Sequence, residues 1–383
     1  MSDTKYKSMA TGNPSRRRER GVTLIELMVS LVIGLLLTGA IMQIFLRNRV
    51  TYAFNDGLSQ IQENARFALD HVADTTRMAG FLGCLSNVGI TNRLDGAANA
   101  FRDDLVNGLQ GFEANGTTTG DTYAAADVDP APLDDAAAWT PALPAELSDP
   151  ARVIPGSDVL VVRNVSGVTS PLVSPFTDAT QLHVGSPVDF LPGEVLVVTD
   201  CQKASIFQAT AVTAVAGGAD VDHDDTAMTP GNAVPTDWPP DQNYGLGSEV
   251  ARLEATAFYV GQGESGSPAL FQLRLQRTNA TTTDFQPEEL VDGIDTMQVR
   301  YGVDTDADRQ VDAWQTADAV DAANNWPSVL SVEITLLARA SEEYGTEFDS
   351  VVHNVGSMQF DPVDDRRLRE VFSTTIGLRN RLP

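Results

Sequence analysis

The sequence predicts an α+β protein in which one long N-terminal helix precedes a head built on antiparallel β-sheet. One observation is a run from Val22 to Leu46 in which Glu26 is the only charged residue. About 20 apolar residues cross a bilayer as a helix, so this run is long enough to be a transmembrane segment. The other is a series of short segments after residue 158 that are rich in β-branched residues and bounded by turn formers, as in antiparallel sheets.

Beyond the apolar run, the helix is predicted to continue as an amphipathic segment that ends near Gly80 and Gly83. Apolar residues recur there at steps of three and four, which places them on one helical face. This predicted stripe consists of Phe54, Leu58, Ile61, Ala65, Ala68 and Val72. We expect it to pack on the sheet of the head.

The chain is predicted to divide into a leader, the helix and a head with two β lobes. The predicted segments are the leader 1–21, the transmembrane and assembly part of the helix 22–46, its amphipathic part 47–79, a loop-rich segment 80–152, a β lobe 153–219, a linker 220–247 and a C-terminal β head 248–383. The predicted strands are Val159–Val162, Glu194–Thr199, Ser205–Val215, Ala251–Val260, Ala269–Gln276, Thr296–Gly302, Val329–Arg339 and Val371–Leu378.

Charge is distributed unevenly along the chain. The formal net charge is −26, yet the first 21 residues carry an excess of positive charge. Basic residues that flank an apolar span stay in the cytoplasm, so the acidic head is predicted to lie across the membrane. Nucleic-acid binding needs a basic surface, and this acidic composition argues against it.

The two cysteines, Cys84 and Cys201, both follow the predicted span. Disulfides persist outside the cytoplasm, so this topology favours a bridge between them. The alternative is a pair of buried thiols.

Three interpretations of the N-terminal segment differ in what they do with Glu26. A secretory signal fits poorly, because its apolar region is shorter and ends at a cleavage site. A plain membrane anchor explains the length but leaves Glu26 unpaired. In the third, cleavage after Gly21 frees the amine of Val22, which then pairs with Glu26 of a neighbouring subunit; buried charges are tolerated when they are paired.

The run Gly21-Val22-Thr23-Leu24-Ile25-Glu26 behind a basic stub resembles the type IV pilin signature. The resemblance implies cleavage by prepilin peptidase between Gly21 and Val22, N-methylation of Val22, and a role in assembly for Val22, Thr23, Leu24 and Glu26. One departure is that position 22 is Val, where the family usually has Phe.

Three further segments resemble PilW-type minor pilins: 78–84, 288–302 and 366–381. The resemblance implies a pilin-like fold and a subunit at or near the pilus tip that primes assembly and presents a large tip adhesin. It implies as partners other minor pilins, the major pilin, prepilin peptidase and the inner-membrane assembly platform. The subunit would reside in the bacterial inner membrane before assembly and in the extracellular pilus afterwards. Residues 85–245 carry no motif of this kind.

Two alternatives to a minor pilin are a J-type minor pseudopilin of a type II secretion system and a membrane-anchored extracytoplasmic binding domain. An enzyme is not expected, because the sequence has no nucleophile elbow, no cysteine in a reactive motif and only scattered histidines. The string Gly261–Gly266 matches a dinucleotide fingerprint, but a strand follows it, which predicts a hairpin turn.

An acidic loop after the Thr296–Gly302 strand suggests calcium. Asp304, Asp306, Asp308 and Asp312 alternate as carboxylate ligands do in an EF-hand loop, with Gln310 offering its carbonyl. Arg309 stands where that loop has glycine and Gln315 where it has glutamate. The alternative is a solvated acidic hairpin tip. The Asp222–Asp225 run is predicted to be a solvated group of charges.

Overall fold

The computed structural model describes residues 21–83, 89–95, 99–125, 136–148, 153–173, 180–233, 238, 243–344 and 348–381. The chain forms two compact units, Met1–Ala53 and Phe54–Pro383. Their boundary falls within helix α1, which runs from Leu24 to Arg77.

In the first unit, the part of α1 up to Tyr52 has no buried side chain. The helix is long and apolar enough to cross a membrane, judged by length and composition. Exposed leucine, isoleucine and valine side chains would cost free energy in water, at about 25 cal/mol per Å² of apolar surface. This unit therefore fits an apolar environment.

In the second unit, α1 packs one face against the head, largely as predicted. Ile61, Ala65, Ala68 and Val72 are buried, whereas Phe54 is 43% exposed. The buried face starts instead at Gly57, where the ring of Tyr344 lies 2.5 Å from the position that a Cβ would occupy. Only a glycine allows so close an approach, which explains this residue inside a helix.

The C-terminal end of α1 is tightened by two short turns. Met78 N–H donates to Thr75 O and Ala79 N–H donates to Thr76 O, each at 3.0 Å. Gly80 then takes a φ of +69°, the left-handed conformation in which glycine ends helices. The helix therefore ends two residues before the predicted Ala79.

In its described residues, the head consists mainly of β-strands with three short α-helices between them, and it confirms the predicted α+β class. The strands are β1 (Gly89–Asn92), β2 (Leu109–Ala114), β3 (Thr122–Ala124), β4 (Trp139–Thr140), β5 (Val159–Pro171), β6 (Gln181–Gly185), β7 (Val195–Thr199), β8 (Lys203–Gln208), β9 (Ala211–Val215), β10 (Gly218–Asp222), β11 (Glu249–Gln262), β12 (Pro268–Asn279), β13 (Thr282–Asp292), β14 (Ile294–Val303), β15 (Ala313–Gln315), β16 (Val329–Arg339), β17 (His353–Val355), β18 (Met358–Asp361) and β19 (Arg369–Gly377). The short helices are α2 (Ala100–Asp103), α3 (Ala145–Ser148) and α4 (Ala317–Ala322).

Four sheets are present in the described residues. The largest has the strand order β1-β8-β7-β11-β5-β2-β4, with β12 also on β11 and β13 on β12. A four-stranded sheet has the order β15-β14-β16-β19, and the three-stranded sheets are β6-β10-β9 and β17-β18-β3. Neighbouring strands are antiparallel except in the pairs β1–β8 and β18–β3.

The expected division into two β lobes is not seen. Strands β5 and β7, from the predicted lobe 153–219, both pair with β11 from the predicted C-terminal head. The predicted linker also begins inside β10, and the single predicted strand Ser205–Val215 is two strands, β8 and β9. Local composition shows that a segment is rich in Asp, Gly and Pro, but it does not show which distant strands pair.

The largest hydrophobic core lies between α1 and the strands of the two larger sheets. Ile61 and Val72 of the helix share it with Phe258 of β11, Val299 of β14 and Ile334 of β16. The predicted packing of the amphipathic stripe on the sheet is therefore confirmed.

A separate core around β6, β8 and β10 contains an aromatic cluster. His223 is 1% exposed, and its ring lies 5.5 Å from that of Phe207 and 4.6 Å from that of Trp238. The prediction of a solvated charge group at Asp222–Asp225 is therefore wrong for His223, which directly follows β10 and lies in the core.

Lys203 borders the same core. Its Nζ donates to the carbonyl of Asn243 at 2.9 Å and lies 5.1 Å from the ring centroid of Tyr244. Both contacts hold the ammonium close to the aromatic cluster.

Candidate assembly, metal and core sites

The segment that precedes α1 is extended and exposed. Gly21, Val22 and Thr23 lie outside the helix, which begins at Leu24, and all three are exposed. Exposed, non-helical backbone is where proteases cut most readily. The predicted cleavage point between Gly21 and Val22 therefore lies where a peptidase can reach it.

Thr23 and Glu26 form a reciprocal cap at the start of α1. The Thr23 hydroxyl oxygen accepts the backbone N–H of Glu26, and Glu26 Oε2 accepts the backbone N–H and the hydroxyl of Thr23, each at 3.3 Å. This capping box satisfies N–H groups that the first turn of a helix leaves without partners. We did not identify it in the sequence, although Thr-x-x-Glu is its usual signature.

The cap gives Glu26 polar partners within its own chain. A plain membrane anchor would therefore not leave this carboxylate wholly unpaired, contrary to our expectation. The hydrogen bonds from Thr23 involve only Oε2, and they leave the negative charge without a cation among the described residues. Oε1 is free to receive a positively charged group from outside the chain.

The acidic loop after β14 brings three of its four predicted carboxylates together. One oxygen each of Asp304, Asp306 and Asp312 lies within 4.8 Å of the others. Asp308 is not in this group; its carboxylate instead accepts the backbone and side-chain N–H groups of Gln310, each at 2.8 Å. These hard oxygen ligands fit calcium, and further oxygens would be needed to reach six or more.

Asp304 organises this loop from its first position. Its Oδ1 accepts the N–H of Ala307 at 2.7 Å and its Oδ2 that of Arg309 at 2.8 Å. Arg309 takes a φ of +68°, so the turn that usually requires glycine forms here with arginine. Hydrogen bonds from Thr305 lower the pKa of the Asp312 carboxyl, which keeps it ionised.

A buried carboxylate joins the two larger sheets of the head. Asp158 is 2% exposed; its Oδ1 accepts the N–H of Ala114 in β2 at 3.0 Å and its Oδ2 that of Val299 in β14 at 2.9 Å. Burial raises the pKa of Asp158 to about 7. No pattern in the sequence distinguished this aspartate from the many on the surface.

A second buried carboxyl, Glu113, lies beside Asp158. Its Oε2 accepts the N–H of Ala317 at the start of α4, at 3.2 Å. Burial, with a smaller contribution from the charge of Asp158, raises the pKa of Glu113 to about 10. Glu113 is therefore protonated at neutral pH. Burial also raises the pKa of the neighbouring Tyr301.

The C-terminal Arg-rich segment anchors the loop that precedes β19. The Arg369 side chain is 1% exposed and forms ion pairs with Asp295 at 2.7 Å, Asp365 at 2.7 Å and Asp349 at 3.3 Å. Asp295 also pairs with Arg339 at 3.1 Å. A buried network of this kind holds several chain segments together, and the loss of one partner leaves uncompensated charge.

Arg381 ties the end of the chain to the head. Its guanidinium donates to the carbonyls of Trp326, Val329 and Asn107. Burial lowers the pKa of Arg381 to about 10. Within the segment 366–381, Arg369 therefore holds the loop before β19, whereas Arg381 fixes the end of the chain to the head.

Of the two cysteines, Cys84 lies outside the described residues. Cys201 follows β7 with a φ of +67°, and no cysteine of the described residues is free. The Cys84–Cys201 bridge stays a prediction.

Two family models match the chain. The model described as type IV pilus-assembly protein W matches residues 257–380, and the prokaryotic N-terminal methylation motif matches residues 16–42. The first covers the ion-pair network and the acidic loop, and the second covers the capping box.

No curated protein matches the chain. Among solved structures, a type IV-like pilin from Thermus thermophilus is 13% identical and the match covers 50% of this chain and 86% of that one, with a TM-score of 0.21.

Proposed function

The chain belongs to the PilW family of type IV pilus-assembly proteins, and we propose that it acts at or near the tip of the pilus. There it primes assembly with other minor pilins and presents a tip adhesin. The observation that supports incorporation into a pilus is the exposed Gly21–Thr23 segment in front of a capped apolar helix, because this geometry suits both cleavage and lateral packing.

Cleavage after Gly21 would create a new positive charge next to the helix start. The freed amine of Val22, which remains protonated after methylation, pairs with Glu26 of a neighbouring subunit. Oε1 of Glu26 receives this ammonium while Oε2 keeps its bonds to Thr23. Pairing removes the cost of a lone carboxylate in apolar surroundings and fixes the axial register of the two helices.

The role proposed here is structural. Before assembly the protein is held in the inner membrane by α1, with the head in the periplasm; afterwards it is part of the extracellular pilus. Its partners are other minor pilins, the major pilin, prepilin peptidase and the inner-membrane assembly platform. A Cys84–Cys201 bridge would stabilise the head in either compartment.

We also propose that the acidic loop binds calcium through Asp304, Asp306 and Asp312, with Gln310 contributing its carbonyl. The convergence of three carboxylates supports this proposal. Calcium would neutralise their mutual repulsion and hold the loop between β14 and β15 in one conformation.

Mass spectrometry of the N-terminal peptide of the mature protein tests the main proposal. We expect a peptide that begins at N-methylated Val22, and we expect Gly21→Arg to prevent this cleavage. A mature peptide that retains residues before Gly21 would contradict pilin processing and favour a plain membrane anchor.

A strain that lacks this protein then distinguishes a subunit of the type IV pilus from a subunit of a type II secretion system. Loss of surface pili with normal protein secretion would support a role in the pilus, which the PilW model match over 257–380 also favours. Loss of secretion with normal pili would instead indicate a pseudopilin of type II secretion.

A further inference from the structure

Strand β19 forms one edge of the four-stranded sheet, and the hydrogen bonds at its ends show which of its residues face away. Leu378 N–H donates to Leu330 O and Ala340 N–H donates to Leu368 O, each at 2.9 Å. Between them the register of β19 on β16 runs without a break. In an antiparallel ladder, the backbone groups of successive residues point alternately to the two sides of the strand. The N–H and C=O groups of the even-numbered residues of β19 therefore bond to β16, and those of the odd-numbered residues point away from β16, toward the open edge of the sheet.

The outward backbone groups of β19 belong to Val371, Ser373 and Thr375. Within the described part of the chain, no strand pairs with this edge. The side chains of Ser373 and Thr375 are exposed. The edge therefore offers a row of N–H and C=O groups at the spacing that another strand requires.

Edge strands are normally protected against pairing by charges, prolines or short length. In the largest sheet, the long edge strand β13 contains Pro287 and the adjacent carboxylates Glu288 and Glu289. By contrast, β19 has neither charge nor proline from Val371 to Gly377. The edge strand β9 is also uncharged, but it is shorter and has no charged residue at either end.

Exposed cations mark both ends of β19 in an otherwise acidic protein. Arg366 precedes the strand and Arg379 follows it, and both residues are exposed. The guanidinium of Arg366 lies 4.8 Å from the ring centroid of Phe348. The other arginines of this segment, including Arg369, are held by contacts within the head.

We propose that β19 accepts, as a further strand of its sheet, an extended segment of a partner protein with an uncharged middle and a carboxylate at each end. The outward backbone groups give the affinity, and Arg366 and Arg379 select the charges. A second copy of this chain is disfavoured, because antiparallel pairing of two β19 strands would place Arg366 of one beside Arg379 of the other. The inference concerns the head and does not depend on how the leader is processed.

The probe is a synthetic peptide long enough to extend along β19 from Arg366 to Arg379, with alternating Thr and Val in the middle and an Asp at each end. The control peptide has the same middle with Lys at each end. Fluorescence anisotropy with the full chain in detergent should show at least about tenfold tighter binding of the Asp-ended peptide at low salt. Added salt should reduce this preference.

Ser373→Pro removes an outward N–H without touching the bonds to β16, and Ser373→Ala keeps it. We expect at least about tenfold weaker binding for the proline variant and unchanged binding for the alanine variant. The charge-swapped variant Arg366→Glu with Arg379→Glu should prefer the Lys-ended peptide. This second test remains informative if the proline variant does not fold.

Hydrogen exchange locates the bound peptide. Protection of the Val371, Ser373 and Thr375 amides would support the proposal. It would be overturned if the Asp-ended peptide did not bind, if Ser373→Pro bound it normally, or if the charge swap left the preference unchanged. Self-association that Ser373→Pro abolishes would also overturn it, by showing a second copy on this edge.

Discussion

Glu26 in the N-terminal unit and Asp158 in the head are both carboxylates among apolar residues, but they differ in where their partners come from. Asp158 is 2% exposed and has an N–H donor for each oxygen from its own chain. Glu26 is exposed on an apolar helix and has donors for Oε2 alone. Asp158 is therefore paired at both oxygens within its own chain, whereas Glu26 keeps one oxygen and a full charge without a partner among the described residues.

This difference separates two kinds of substitution. Changes at buried polar groups of the head should alter the stability of the isolated protein. Changes at Glu26 should leave that stability unchanged and alter assembly. The following predictions test this separation, from the largest expected effect to the smallest.

Glu26→Ala should reduce incorporation into pili about tenfold or more, because a lone ammonium in apolar surroundings costs several kcal/mol. Processing and the unfolding of the head should be unchanged. Immunoblots of sheared pili and of whole cells measure incorporation and processing.

Glu26→Gln separates the charge from the cap. Glutamine can accept the Thr23 N–H in a capping box but cannot pair with an ammonium. We expect Glu26→Gln to reduce incorporation into pili as strongly as Glu26→Ala does. Normal incorporation of the glutamine variant would show that the cap, and not the charge, is what assembly requires.

Arg369→Met should lower the free energy of unfolding by about 3–5 kcal/mol, since it removes a buried cation that Asp295, Asp349 and Asp365 share. Denaturant unfolding of the full chain in detergent measures this loss. The matched control is Arg366→Met at an exposed site, where the change should stay within about 0.5 kcal/mol. Equal losses in both variants would contradict the role of the network.

Stability should fall as pH rises, because Glu113 and Asp158 hold their protons more tightly in the folded protein. For Glu113 the window runs from its unfolded pKa near 4.5 to about 10, and for Asp158 from 3.8 to about 7. In the window of Glu113, unfolding releases one proton, which corresponds to about 1.4 kcal/mol per pH unit.

Glu113→Gln should reduce this slope, most clearly above pH 7, because it removes the carboxyl whose pKa is raised further by burial. Glutamine keeps an oxygen for the Ala317 N–H. Denaturant midpoints of both proteins across this pH range make the comparison. An unchanged slope in the variant would mean that Glu113 does not titrate as described.

Asp306→Ala should abolish calcium binding to the acidic loop, whereas Asp308→Ala should leave most of it, because Asp308 lies outside the convergent group. Isothermal calorimetry of the full chain in detergent measures both. We expect millimolar-class affinity, so calcium would raise stability only slightly at low millimolar concentrations. An absence of heat in the unaltered protein would end the calcium proposal.

Helix α1 was predicted almost completely from the sequence. A long helix needs only local periodicity, and the buried residues Ile61, Ala65, Ala68 and Val72 follow from the spacing alone. Phe54 was misplaced because Tyr344, nearly 300 residues away, covers Gly57 instead.

The head was predicted less well, because its sheets join residues far apart in the sequence. Strand β16 was predicted at its observed bounds, Val329–Arg339, since apolar and β-branched residues dominate it. The pairing of β5 with β11 across the expected linker has no local signature. Neither does the burial of Asp158 or of Arg369, which depends on three or more segments meeting in space.

Lys203 has a practical consequence for studying this protein. The only other lysines of the chain, Lys5 and Lys7, lie in the leader. If the leader is removed and Val22 is methylated, as proposed, Lys203 is the one primary amine that remains, and its Nζ already contacts Asn243 and Tyr244. Amine-directed cross-linkers would therefore detect only proteins that lie near Lys203. Carboxyl-directed reagents could instead react at the many Asp and Glu side chains of the surface.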